Sequence, residues 1–596
     1  MFTLCLVWLI GCGSPADPGD DDPLAGLVSL SIEPAGKTLV IDNGQPASQA
    51  YTAIGTFADG RTQDVTALAS FSLQDGTLGA FAADQLTTAT THGGRTEVTA
   101  TAAGVSGATG LTIRFVRTWN DPGSTVPADP GGPFGGPPDT GRAPVALYPN
   151  RGAVVPPNLG RLELHFRPGA GNTLFELAFT SPLVDIKVYL RCTQPLAGGC
   201  IYMPDPQLWS WLAETSRGDD AVAWSIRGTD DTGSGVGTSG DLSFAFAPDN
   251  VTGGIYYWTT TLKAIMRFDF GSTTQTQAEL FVSPSATGGT CVGCHALSRD
   301  GTKLVAEAGG QNDGRVLLLD VATTTPMVPF GSTEKSNFES WSPDGSQFVG
   351  VYADEGATNY NLMLFDGNTA RFQSTIDVGG TATHPTDHPD WSQDGDRIAF
   401  VRVGEHQTLQ RMFNGGISTV TRANGAWGAP GVLVPAAPGK NRYYPAFAPD
   451  SRLLVFDESS CASGNRGSDC DGDTDPTATL FAVDGVAGGT PVAMTAANAP
   501  GIADGTTTKL ANSFPRWNPF VFARTRDGGR LAWVTFSSTR RYGLREPNGT
   551  LLWMAAVDLD APAGSDPSAA AFVLPFQDIA TSNHIAQWTT KIVVVQ

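Results

Sequence analysis

Two thiols and an imidazole stand close together in Cys291-Val-Gly-Cys294-His295. Thiols at this spacing can form thioethers to the two vinyl groups of a haem, and the adjacent histidine then lies under the iron as proximal ligand, the attachment chemistry of haem c. Two other readings use the same atoms: a local disulfide between Cys291 and Cys294, or a zinc site of both thiolates and His295. A thioredoxin-type redox pair is disfavoured, because no βαβ pattern surrounds the motif. The chain has 7 histidines. His388 and His584 are candidates for a distal haem ligand, with Met266 and Met327 as thioether alternatives. A second set, Asp469, Asp471, Asp473 and Asp475, alternates around Gly472, and hard oxygen ligands so spaced suit a calcium loop. No glutamate follows at the EF-hand position, which excludes a full EF-hand.

The elements that would position these groups are short strands in a repeat. Ser298-Arg-Asp-Gly301, Ser342-Pro-Asp-Gly345 and Ser392-Gln-Asp-Gly395 each lie between two apolar runs. Ala448-Pro-Asp-Ser451 and Thr525-Arg-Asp-Gly528 are degenerate copies, and the aspartates are spaced by 44, 50, 56 and 77 residues. Asp-Gly suits a tight turn, and four strands per ~45 residues predicts a propeller blade. Five internal units plus a composite of residues 254–270 with His584-Ile-Ala-Gln-Trp588 predict six blades, with seven as the alternative. Aligned on Leu297, Trp341, Trp391, Phe447 and Trp517, the residues three earlier are Cys294, Phe338, His388, Tyr444 and Phe514. These are expected to surround one mouth of a central channel. In the last unit, counting back from Trp588 gives Ile585, whereas matching Ser582-Asn583-His584 to Ser336-Asn337-Phe338 gives His584. The second alignment is adopted, and it brings His584 toward a haem rooted at Cys294.

The Trp/Phe-Ser-Pro-Asp-Gly signature resembles the TolB-type propeller over residues 251–596. In residues 27–116, Gly55-Thr-Phe-Ala-Asp-Gly60, Asp64-Val-Thr66 and Glu97-Val-Thr-Ala-Thr-Ala-Ala-Gly104 resemble the bacterial immunoglobulin-like domain of group two. Phe71 stands where that family often has Trp. The resemblance implies a β-sandwich serving as spacer or adhesion module. Leu9-Ile10-Gly11-Cys12, closing a short apolar run, resembles the bacterial lipobox, although no Lys or Arg precedes the run. By that resemblance residues 1–12 are a signal segment and Cys12 carries the lipid. Residues 13–26 then read as a solvated tether and residues 117–144, with Asp129-Pro-Gly-Gly-Pro-Phe-Gly-Gly-Pro-Pro138, as a Pro/Gly linker. Residues 145–250 read as a second, fibronectin-like sandwich. The whole is thus expected to be all-β, two sandwiches followed by a propeller.

The 596 residues carry 37 basic and 58 acidic side chains, a net charge of −21, which disfavours nucleic acid and anionic lipid as partners. Membrane attachment is expected through the lipid alone. Eight cysteines in a secreted chain invite disulfides, here Cys192–Cys200 and Cys461–Cys470 across short loops. No Gly-x-Ser-x-Gly elbow supports a hydrolase. The expected function is a cell-envelope monohaem protein passing electrons to a protein redox partner. The competing reading is a non-catalytic binding or scaffold protein with a protein or glycan partner, in which Cys291 and Cys294 are structural.

Overall fold

The computed structural model describes residues 22–287, 292–309, 313–328, 333–406, 412–460, 475–501 and 510–592. The chain divides into two compact units between Val116 and Arg117. In the first unit, Leu27–Glu33 pairs with Thr52–Phe57, which pairs with Thr62–Asp64. Gly94–Ala102 pairs antiparallel with Val105–Asn120, on whose other edge Lys37–Asp42 lies parallel. Side chains of Gly94–Ala102 alternate between buried and partly or fully exposed, because a strand turns successive side chains to opposite faces. Ile41, Tyr51, Leu86, Val98, Ile113 and Phe115 fill the core between the sheets.

The second unit runs from Arg117 to the C-terminus. Within it, Leu174–Thr180 pairs with Val184–Leu190 and Val222–Thr229. Helix α1 (Pro206–Ser216) opens on Asp205, whose carboxylate accepts the Gln207 N–H at 2.8 Å, a side-chain cap for an otherwise unpaired donor. In the Pro/Gly run, Phe134 is buried among Leu174, Tyr189 and Val236. Residues 145–250 lie in this same unit. Tyr148 accepts the Val573 N–H at 3.0 Å, His165 accepts the Leu544 N–H at 3.0 Å, and Arg545 donates to both Glu163 oxygens at 2.7 and 2.8 Å. These bonds tie the segment to the last repeats of the same unit.

The repeats form six sheets. Their first strands are β1 (Val292–Leu297), β2 (Asn337–Trp341), β3 (Thr386–Trp391), β4 (Asn441–Phe447) and β5 (Ser513–Trp517). The sixth is β6 (Asn583–Thr589), which pairs antiparallel with Gly254–Thr259 far back in the chain. The expectation of a six- or seven-bladed β-propeller is corrected here. The hydrogen-bonded units are separate antiparallel sheets of four or five strands, and none closes on itself. The architecture is all-β, multi-sheet and open-sheet.

The Ser-x-Asp-Gly signature is a turn with a definite job. Ser298 donates to Asp300 at 2.7 Å and accepts the Lys303 N–H at 2.9 Å, and Ser342 and Asp344 repeat the pattern. Gly301, Gly345 and Gly395 hold φ of 73°, 66° and 82°, a region that favours glycine. The tryptophan before the turn fastens neighbouring sheets. The Trp341 indole N–H donates to the Ala296 carbonyl, and that of Trp517 to the Ala446 carbonyl, both at 3.1 Å.

Candidate functional site

Each first strand carries a bulge. Pairing registers shift between Gly293 and Ala296, Asn337 and Ser340, Asp387 and Asp390, Tyr443 and Ala446, and Ser513 and Arg516. One residue in each bulge is left-handed: Cys294, Phe338, His388, Tyr444 and Phe514, with φ between 35° and 53°. In β6 that residue is Ile585, at φ 50°. The alignment that placed His584 in this position is therefore one residue out, and His584 lies beside Trp258 with ring centroids 6.0 Å apart. A one-residue shift in a strand changes the face a side chain serves.

The bulge residues pack together. Cys294, Phe338, Tyr444, Phe514 and Ile585 belong to one buried cluster. His388 lies among them, its ring centroid 4.3 Å from Phe338 and 3.9 Å from Tyr444, and Tyr444 is 3.9 Å from Phe514. The place expected to be an open mouth is filled with side chains.

That packing overturns the haem c reading. β1 is buried at every residue, so it offers no face to a macrocycle. Cys294 is 5% exposed and His295 2%. Burial drives the His295 imidazole down to about 3 and His584 to about 4, and holds His388 well below the usual range. All three stay neutral because charge is poorly solvated there, and neither ring nitrogen of His295 has a hydrogen-bond partner. Among the described residues no group of three or more His, Cys, Asp or Glu side chains could hold a metal ion. Neither haem iron at Cys294, His295, His388 and His584 nor a metal among the described acidic groups is therefore supported, and the electron-transfer function falls with it. Cys291 lies outside the described residues. So do Asp469, Asp471 and Asp473. Asp475, the remaining member of the calcium set, is buried and accepts the Thr477 N–H and hydroxyl at 2.8 and 2.7 Å. Met327 is 36% exposed, and Met266 pairs with Tyr257 in the sheet of β6. Cys192 and Cys200 are joined in a structural disulfide. Cys12, Cys461 and Cys470 lie outside the described residues.

Two residues after each bulge residue, the strands line a cavity instead. Ala296, Ser340, Asp390, Ala446, Arg516 and Gln587 contribute to its wall, and Arg299, Pro343, Gln393 and Pro519 come from the turns. It is small, with about 90 Å³ open to the centre of a water-sized sphere. The aromatic cluster lies behind it on the same strands. Arg516 and Asp390 are surrounded by protein yet keep accessible surface, and that surface faces the cavity. Burial lowers the Arg516 guanidinium from its ordinary value and raises the Asp390 carboxyl to about 6. Glu339, also in the wall, is 4% exposed, and neither of its oxygens has a hydrogen-bond partner. Burial raises it to about 8, so it is largely protonated at neutral pH. The sequence reading missed these residues. Their signal was positional: Ser340, Asp390, Arg516 and Gln587 each stand immediately before the aromatic residue that opens a repeat signature, and Glu339 stands one position earlier.

Comparison with known proteins adds a coarse result. No family model and no curated protein sequence matches the chain. Among solved structures, a TolB of Acinetobacter baumannii is 14% identical over 62% of this chain and 79% of its own, with a TM-score of 0.35. A protein described as a TolB of Agrobacterium tumefaciens is 13% identical over 56% of this chain and 98% of its own, TM-score 0.32. Hydrazine synthase of Kuenenia stuttgartiensis is 12% identical over 56% of this chain and 74% of its own, TM-score 0.31. No activity or ligand is carried across from these proteins. Among the described residues no helix is long and apolar enough to cross a membrane.

Proposed function

We propose that this chain is a non-catalytic binding protein of the bacterial cell envelope, held by a lipid on Cys12. The immunoglobulin-like segment of residues 27–116 acts as a spacer, and the larger unit is a rigid scaffold for a protein or glycan partner. One observation carries the reading. The thiol and imidazoles that could have done redox chemistry are packed into the centre, whereas the polar groups that keep accessible surface there line a cavity. A packed centre with a polar recess suits recognition, because recognition needs fixed groups and no moving electrons.

The test is crosslinking in the producing cell from a photoreactive residue at Gln393, on the cavity mouth, with Phe372, which is 44% exposed, as the control position. A dominant adduct formed from Gln393 and not from Phe372 is expected. Adducts no more abundant or specific at Gln393 than at Phe372 reject the reading. Mass spectrometry of the N-terminal peptide checks Cys12, where an unmodified or absent cysteine would remove the lipid.

A further inference from the structure

We propose that the cavity between β2, β3, β5 and β6 binds a small organic monocarboxylate bearing a hydroxyl group, with Arg516 gripping the carboxylate and Asp390 accepting from the hydroxyl. The proposal rests on the binding reading above and names the chemistry of the ligand. In a chain of net charge −21, the cavity collects two arginines, Arg516 in its wall and Arg299 at its mouth. A guanidinium is always charged and presents five N–H donors in a planar fork that matches a carboxylate. Arg516 Nη1 donates to the Pro515 carbonyl at 3.1 Å, and the charges that act on its guanidinium are those of Asp390, in the same wall, and Asp457. A cation desolvated to this degree costs stability unless an anion meets it.

Asp390 feels the charge of Arg516 and is held in place by its own wall. Its Oδ2 accepts the Phe447 N–H at 2.8 Å and its Oδ1 accepts the Ser340 hydroxyl at 3.4 Å. Lone pairs remain for a ligand donor. Gln587, on β6, supplies a neutral amide. Small side chains at Ala296 and Ala446 leave the space. A dianionic phosphate fits this set worse than a monocarboxylate, because one guanidinium in the wall would face two negative charges beside Asp390.

The test uses the full chain and four probes: lactate, its neutral isostere lactamide, acetate and inorganic phosphate. Saturation-transfer NMR and thermal shift on the unaltered protein should show saturable binding of lactate, weaker binding of acetate, and none of lactamide. Arg516→Gln should weaken lactate binding at least about 10-fold. The lactate–lactamide comparison needs no variant, so a folding defect in Arg516→Gln does not decide the matter. Equal binding of lactate and lactamide, preference for phosphate, or no binding of any probe would overturn the proposal. A Gln393 adduct together with absent carboxylate binding would overturn this inference alone and leave the scaffold reading standing.

Discussion

Six residues adopt a left-handed backbone at the centre, and one of them is the β-branched Ile585. Such a conformation costs on the order of 1–3 kcal/mol for a residue other than glycine. Burial offsets it: covering an aromatic side chain stabilises by about 1.5–3 kcal/mol, and Phe338, Tyr444 and Phe514 are each no more than 6% exposed. Phe514→Ala should therefore lose about 3–5 kcal/mol in denaturant unfolding, from lost transfer energy and the void left behind. Glu339 gives a pH effect of definite sign. Its carboxyl titrates at about 8 in the folded chain against an ordinary 4.5. Between those values the folded state keeps a proton that the unfolded state has lost, so this group's contribution falls as pH rises from about 4.5 to about 8. Glu339→Gln mimics the protonated form. It should raise the melting temperature over the parent by a margin that widens from pH 5 to pH 9, corresponding to roughly 1–3 kcal/mol at pH 8. His584 acts in the opposite sense. Burial holds it at about 4 against 6.5, so stability is lost as pH falls below about 6.5. His584→Asn should flatten that acid limb in calorimetric scans; an unchanged slope would show that the imidazole is not the group responsible.

At the scale of elements, the bulge in each first strand decides what the strand exposes. It turns one residue into the central cluster and sends the residue two positions later to the cavity wall. The same device places Cys294 out of reach of a cofactor and Arg516 within reach of a ligand. Co-expression with haem-attachment machinery should accordingly yield protein with no covalent haem after denaturation, checked by its absorption spectrum. The disulfide is a second local device. Cys192 and Cys200 are separated by 8 residues, and on loop-closure grounds Cys192→Ala with Cys200→Ala should cost about 2.5 kcal/mol. Urea unfolding with and without reductant measures it. The repeat signature was legible along the chain because it is a local turn, in which Ser298, Asp300 and Gly301 satisfy one another within a few residues. The bulges were not legible, because each appears only when its strand pairs with the next.

At the scale of the whole molecule, the last described strand of the larger unit pairs far back in the chain. β6 supplies a strand to Gly254–Thr259, and Trp588 donates its indole N–H to Thr535 at 3.0 Å on the preceding sheet. Deleting residues 583–596 should leave the edge of Gly254–Thr259 open and uncover the side chains against which Ile585 packs. Insoluble or protease-sensitive protein is expected, read by limited proteolysis and light scattering, since an unpaired edge invites association. Soluble, protease-resistant protein would show that β6 is dispensable.

Sequence alone determined the all-β character, the repeat and its turns, and the short Cys192–Cys200 bridge. Alternating apolar residues, Asp-Gly pairs and close cysteines act over a few bonds. Only the tertiary structure decided that the sheets stay separate, that Ile585 and not His584 joins the centre, and that Cys294 and His295 are sealed. It also brought Arg516, Asp390 and Gln587, which span 198 positions of the chain, to one cavity. Register, burial and desolvation depend on which strands meet, and spacing along a chain does not contain them.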